Sequence, residues 1–275
     1  MYWLSHPIIH AHYQHRATQG RRRHWVDLVA LDVLEDGMRV ASLGCGEGAV
    51  ERHLLHIRGG LSITGIDRSA ERIDTARATI AQDASLPPAV SAALECGRLV
   101  YRSEDFDEFL GNRGGFDAII FNMSLHHSTD PFLTLQLARD ALGPDGRLIV
   151  NEYVGEPRLQ ATEQLRSLCG SIHDACHRED DAIAGRTLFW PRIGDVVLAD
   201  RTEAPASGMI VPALKELFEP RQLVGVSSGL MHHYCSHVDS LSDDEARVLC
   251  GVDAGLVDAA FQRPEFVFGI FTPSR

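Results

Sequence analysis

Apolar and polar positions along the chain change period several times. From about His6 to Leu34 the apolar residues fall at helical spacing, with Ile9, Tyr13, Trp25, Leu28, Val29 and Leu31 available for burial; Thr18-Gln19-Gly20 splits the stretch into two helices. A different alternation follows. "MRVASLG" reads as a strand, "GAVERHLLHI" as a helix, "LSITGID" as a strand, and "SAERIDTARATIAQ" as a helix opened by Ser69. "GRLVYRS" and "FDAIIFN" are a third and fourth strand, "PFLTLQLARDAL" a helix, and "GRLIVNEYV" a fifth strand. Strands alternating with helices make a parallel sheet covered on both faces, and the nearly unbroken apolar runs "DAIIF" and "RLIV" suit strands buried on both sides.

After Gly155 this rhythm stops. Residues 156 to 220 hold a helix ("RLQATEQLRSLCGSIHDACH"), the acidic turn "REDDA" and an irregular piece with Phe189, Trp190 and Pro191. Strands return in "QLVGVSSGLMHHY" and "EFVFGIFTP", with a helix from about Ser242 to Gln262 between them. The expected organisation is an N-terminal helical lid (1–35), a Rossmann-like α/β core (36–155), an inserted cap after the fifth strand (156–220), and a C-terminal part (221–275) that completes a seven-stranded, mostly parallel sheet.

Composition narrows the partners. The formal charge of -12 argues against general affinity for nucleic acid or anionic membranes, and Arg21-Arg22-Arg23-His24 reads as a solvated face. No apolar run reaches the ~18 residues that span a bilayer. The N-terminus lacks the pattern of a secretion signal, and the six cysteines contain no CxxC pair, so reduced thiols in the cytoplasm are expected. A homodimer is compatible with the sequence, which carries no signal for it.

The chemistry gathers at strand ends. Gly44, Gly46 and Gly48 end the first strand and begin a helix, a loop against which a ligand lies close to backbone. The second strand ends in Asp67-Arg68, placing a carboxylate where both ribose hydroxyls of a nucleoside can donate to it. Gly44-x-Gly46-x-x-Ala49 also satisfies a loose dinucleotide fingerprint, so the loop alone leaves a nicotinamide oxidoreductase, or a binder without catalysis, open. The third strand runs into Glu104-Asp105-Phe106, an acid and a ring suited to an adenine. The fourth delivers Asn122, Ser124, Leu125, His126 and His127 over the same crevice, and the fifth ends in Glu152-Tyr153.

Taken together, these residues resemble the class I S-adenosylmethionine-dependent methyltransferases, over Val40 to about Val154. "GCGEGAVERHL", "MSLHHSTDP" and "NEYVG" are similar to a bacterial group that methylates small molecules. The resemblance implies S-adenosyl-L-methionine (SAM) as cofactor. Gly44, Gly46 and Gly48 would line its methionine and ribose, and Asp67 and Arg68 its ribose. Asp105 and Phe106 would hold the adenine, and Asn122 and Ser124 would lie near the sulfonium. One position departs from the pattern: where many of these enzymes carry an acid two residues before the first glycine, this chain has Ser42, and Glu47 or an N-terminal residue is expected to substitute.

The expected reaction is in-line methyl transfer to a small-molecule, secondary-metabolite acceptor, with His126, His127, Glu152 and Tyr153 as candidate bases. The alternative is attack at the methionine Cγ, which expels methylthioadenosine and gives azetidine-2-carboxylate or aminocarboxypropyl transfer. In the cyclisation no acceptor is needed. The cap, with Phe189 and Trp190, is expected to close the site, and Tyr2, Trp3, His6 and Tyr13 to form another wall. No metal is expected. Cys169, His173 and Cys176 share a helix face beside His177, and His10-x-His12 and His232-His233 occur, but burial or solvation accounts for each.

Overall fold

A computed structural model describes residues 1–176, 188 and 190–274. The "REDDA" turn, His177, Phe189 and the side chain of Cys176 lie outside the described residues. The N-terminal stretch forms α1 (Pro7–Thr18) and α2 (Trp25–Asp32), broken where expected by Gln19 in the left-handed region. The alternating part comprises β1 (Arg39–Leu43), α3 (Ala49–Ile57), β2 (Ser62–Asp67), α4 (Ala70–Gln82), α5 (Pro88–Glu95), β3 (Leu99–Ser103) and α6 (Phe106–Asn112). It continues through β4 (Phe116–Asn122), α7 (Pro131–Ala141) and β5 (Leu142–Tyr153). Between β5 and the next strand lie α8 (Glu163–Cys176), α9 (Ile193–Ala199) and α10 (Ile210–Leu217). The chain ends with β6 (Phe218–Ser227), α11 (Leu230–Cys235), α12 (Asp243–Asp258) and β7 (Phe266–Pro273).

The seven strands form one sheet in the order β3-β2-β1-β4-β5-β7-β6. The first five pair in parallel, and β7 runs antiparallel to both β5 and β6. The chain winds outward from β1 to β3, then returns to β4 beside β1. That reversal opens a crevice at the carboxyl ends of β1 and β4, where ligands of such sheets bind. Two apolar cores sit on opposite faces. One packs α1, α2, α3, α5, α11 and α12 against residues such as Val40, Ile120 and Phe268; the other packs α6, α7 and α10 against Leu43, Ile119 and Phe121.

Side-chain caps start several helices as the sequence dictates. Ser69 Oγ accepts from Arg72 N at 3.2 Å, Asp130 from Leu133 N at 3.1 Å, and Ser242 forms a capping box with Glu245. One boundary differs from the sequence reading. The apolar run ending at Tyr234 is strand only to Ser227, and its remainder is the helix α11. Gly229, at φ 91°, turns the chain out of the sheet. Ser227 and Ser228 hydroxyls accept the N–H groups of Gly229 and Leu230 while donating to Asp253, so local side-chain bonds replace the strand ladder. That strand also begins at Phe218, ahead of the expected Gln222. No described helix is long and apolar enough to cross a membrane.

Candidate active site

The glycine loop is built by close approach. A Cβ on Gly44, which has φ +70°, would lie 2.3 Å from Ser124 Cβ, so β1 and the turn after β4 touch only because that side chain is missing. Ser124 Oγ closes the contact by donating to the Leu43 carbonyl at 2.6 Å. Gly48, at φ +77°, stands over the Tyr101 hydroxyl and begins α3. Asp67 ties the loop to β2: Oδ2 accepts from Gly46 N and Oδ1 from Ser69 N, both at 2.9 Å.

Beyond these strand ends lies a cavity of about 690 Å³. Asp67, Arg68, Asp105 and Phe106 line it, together with Gly44, Ser124 and His127. Asp105 Oδ1 caps α6 through Asp107 N and Glu108 N. Phe106 rests edge-on against Phe121. A second cavity, of about 290 Å³, lies under the N-terminal helices, walled in part by Tyr2, Tyr13, Trp25, Asn122 and Asn151. Met123, in the left-handed region at φ 51°, lines both. Tyr13 donates to Asn151 Oδ1 at 2.7 Å and Asn151 to Asn122 Oδ1 at 2.8 Å, which fixes the wall of the inner cavity.

The strand-end acids and imidazoles divide their work. Glu152 is fully buried and reaches the turn after β4 rather than a ligand. Its Oε2 accepts from Ser124 N at 2.8 Å and Leu125 N at 2.7 Å, and its Oε1 accepts from Tyr153 N at 2.8 Å and pairs with His126 Nδ1. His126 Nε2 faces Glu203 Oε1 at 3.5 Å. Burial disfavours its imidazolium, but the Glu152 and Glu203 carboxylates outweigh that and hold its pKa above the usual value. His127 Nδ1 lies 3.2 Å from the Thr202 carbonyl, which can only accept, so Nδ1 is the donor in that contact. Tyr153 donates to the Glu156 carbonyl and packs against Phe266, away from the larger cavity.

Cap residues complete the wall, and spacing along the chain did not reveal them. Asp200, Thr202 and Glu203 line the larger cavity. Arg158 holds this segment: its N–H donates to the Ala204 carbonyl at 2.7 Å, and Nη1 donates to the Arg201 and Glu203 carbonyls at 2.9 and 3.0 Å. Arg158, Leu159 and Ala204 all have positive φ, a cluster of costly conformations held by these bonds. Of the other expected wall residues, Tyr2 and Tyr13 line the inner cavity. Trp3 is buried against Tyr13 and Phe266, His6 caps α1, and Trp190 packs on His237 under Arg166.

Ser42 has a neighbouring acid after all. It is not Glu47, which is exposed, but Glu51 in the first turn of α3, fully buried behind the loop. Burial pushes its pKa up to about 7, and the Ser42 hydroxyl and Arg52 offset only part of that.

The methyltransferase-domain family matches residues 11–179 of this chain. The chain belongs to the class I S-adenosylmethionine-dependent methyltransferases. SAM is the cofactor of this methyltransferase, and the open nicotinamide reading of the glycine loop falls. The ubiquinone biosynthesis O-methyltransferase of Xanthomonas campestris pv. campestris (strain B100) is 28% identical over 189 residues, covering 67% of this chain and 71% of that protein. The enzyme of the same description from Actinobacillus pleuropneumoniae serotype 7 (strain AP76) is 30% identical over 118 residues, 41% of this chain and 44% of that one, so the match spans less than half of it. Among solved structures, geranyl diphosphate C-methyltransferase from Streptomyces coelicolor A3(2) superposes with a TM-score of 0.54 at 12% identity, covering 91% of this chain and 77% of that one. Phosphoethanolamine N-methyltransferase 2 of Haemonchus contortus gives 0.53 at 14% identity, covering 98% and 57%. At these identities the structures establish the shared fold.

Proposed function

We propose that the methyltransferase moves the SAM methyl group onto an oxygen of a small-molecule acceptor. The observation that carries this reading is a single cavity bounded by the nucleoside-type residues Asp67 and Asp105 and by the proton-accepting residues His127 and Glu203. In the proposed pose the ribose hydroxyls donate to Asp67, and the adenine amino group donates to the Asp105 oxygen not used as a helix cap. The methionine arm passes Gly44 and Met123 toward the inner cavity. Asn122, which lines that second cavity, then lies beside the arm.

Methyl transfer from a sulfonium leaves a neutral thioether, so nothing acidic is needed at the sulfur. The acceptor hydroxyl must lose its proton, and in this reading it passes to the His126–His127–Glu203 group, whose polar atoms lie within 4.8 Å of one another. Glu152 serves by holding His126 and the turn, not by touching the acceptor. The relatives named as O-methyltransferases favour oxygen over nitrogen or carbon as the receiving atom. The five described cysteines are unpaired, in keeping with the reducing cytoplasm to which we assign the protein.

The test is the identity of the released nucleoside. Purified protein incubated with SAM and a panel of phenols and catechols is expected to yield S-adenosylhomocysteine only when an acceptor is present. Methylthioadenosine released from SAM alone would overturn the reading in favour of attack at Cγ.

A further inference from the structure

A third cavity, a groove of about 980 Å³, opens among α1, α2, the turn between them and α3. Its lining carries three guanidiniums, Arg21, Arg22 and Arg23, and four imidazoles, among them His15 and His56. Asp27 is the one carboxylate among those lining residues, and His53 Nε2 already holds it at 2.8 Å. Arg22 pairs with Asp32, and Arg21 donates to Gln222 and to the Thr18 carbonyl. Arg23 is exposed and makes no ion pair or hydrogen bond among the described residues. The turn that presents it has a fixed shape. Buried Thr18 donates to the Arg22 carbonyl at 2.8 Å, and Trp25 N donates to Gln14 Oε1 at 2.9 Å. The basic run that reads in the sequence as a solvated face therefore borders a concavity.

Shared residues link the three cavities in a row. His10 and His53 line both the basic groove and the inner cavity, and Met123 lines both the inner cavity and the cofactor cavity. His24 lies near both imidazoles, its ring centroid 5.9 Å from that of His10 and 5.1 Å from that of His53. Tyr2, Tyr13 and Trp25 give the inner cavity flat faces suited to a ring. The two ends of the row differ in charge. The cofactor cavity is lined by six carboxylates and two guanidiniums, which suits a sulfonium. The groove, with one carboxylate and three guanidiniums, suits an anion, although the chain as a whole carries -12.

We propose that this groove binds an anionic tail of the acceptor, a carboxylate or a phosphate, and that the acceptor body crosses the inner cavity to bring its hydroxyl to Met123. This inference rests on the methyl-transfer reading and names the acceptor class: a hydroxylated ring with a negatively charged group at its remote end. Arg23 supplies the free guanidinium, whose forked N–H groups donate in pairs to carboxylate or phosphate oxygens. Arg21 and Arg22 add positive field without leaving their own partners. The cationic cofactor and the anionic acceptor thus reach the reacting atoms from opposite ends of the row, and the charge of each entrance repels the other ligand.

The test gives the full chain SAM and catechols whose alkyl chain, of graded length, ends in carboxylate, phosphate or methyl. At the best length a charged end is expected to exceed the methyl end in kcat/KM by about tenfold, the size of one charge-assisted pair, and the advantage to shrink as salt rises. The carboxylate and phosphate series tell the two anions apart. Arg23→Gln is expected to remove most of the advantage and Arg23→Glu all of it; a thermal melt and a SAM titration establish that each variant is folded with its cofactor site intact. A ratio near one at every length, or one that survives in both folded variants, overturns the proposal, and S-adenosylhomocysteine formed in those reactions leaves methyl transfer standing. Titration with inorganic pyrophosphate reads the groove without turnover. Binding that Arg23→Glu weakens by about tenfold is expected even if no catechol in the series is methylated, and absence of binding overturns the groove as an anion site.

Discussion

The Nδ1 of His127, at the end of β4, is held by the carbonyl of Thr202, 75 residues later in the cap. One wall of the cofactor cavity therefore depends on a segment that is not part of the sheet. Arg158 fastens that segment through three backbone carbonyls.

Removing the fastening is expected to affect turnover more than the fold. Arg158→Ala lowers kcat with the preferred acceptor by about 10–100-fold, an effect typical of misplaced catalytic groups. SAM binding through Asp67 changes little. Amide exchange at residues 200–204 rises in the same variant, whereas a merely structural Arg158 would leave kcat untouched once the protein is folded. Steady-state kinetics together with hydrogen exchange check this.

Asp67→Ala is expected to weaken SAM affinity by about 1–3 kcal/mol, the loss of a charged acceptor for ribose hydroxyls together with the tie to Gly46 N. Calorimetric titration measures it. Unchanged affinity would mean the ribose lies elsewhere.

Gly44→Ala tests the close approach at the crevice floor. Its added Cβ meets Ser124 Cβ, and its φ disfavours any side chain, so a loss of about 1–3 kcal/mol in stability is expected, with SAM binding impaired. Urea unfolding and SAM titration of the variant check both effects. Alanine at exposed Gly251 of α12, where nothing stands within 4 Å of an added Cβ, is the control and is expected to be neutral or stabilising.

Glu51 makes stability depend on pH in an unusual direction for a carboxylate. Its folded pKa of about 7 exceeds the ordinary 4.5, so between those values the unfolded chain has released a proton that the native state keeps. Stability thus falls as pH rises from 4.5 to 7 and is flat beyond, by on the order of 3 kcal/mol. Glu51→Gln is expected to be more stable than the parent at pH 8 and equal to it near pH 4. Parallel denaturant curves at the two pH values decide.

How much of this was legible follows from the range of the interactions. The glycine loop, Asp67, Asp105 and the parallel sheet are local patterns, strand then turn then helix, and their order along the chain carries them into the structure. Helix α6 is signalled by the same residue that offers ligand chemistry, since Asp105 before Phe106-Asp107-Glu108 is also a helix start. Glu51 could have been found, since it shares a helix face with Leu54 and Leu55. Thr202 and Glu203 could not. Only tertiary contact brings them to His126 and His127, and no periodicity in an irregular cap encodes that meeting.

The most direct test is the position of S-adenosylhomocysteine in a crystal of the complex. The account predicts the ribose on Asp67, the adenine between Asp105 and Phe106, and the sulfur beside Gly44 and Met123, pointing toward His127. A nucleoside bound outside this crevice, or one that leaves Asp67 and Asp105 both uncontacted, would contradict it.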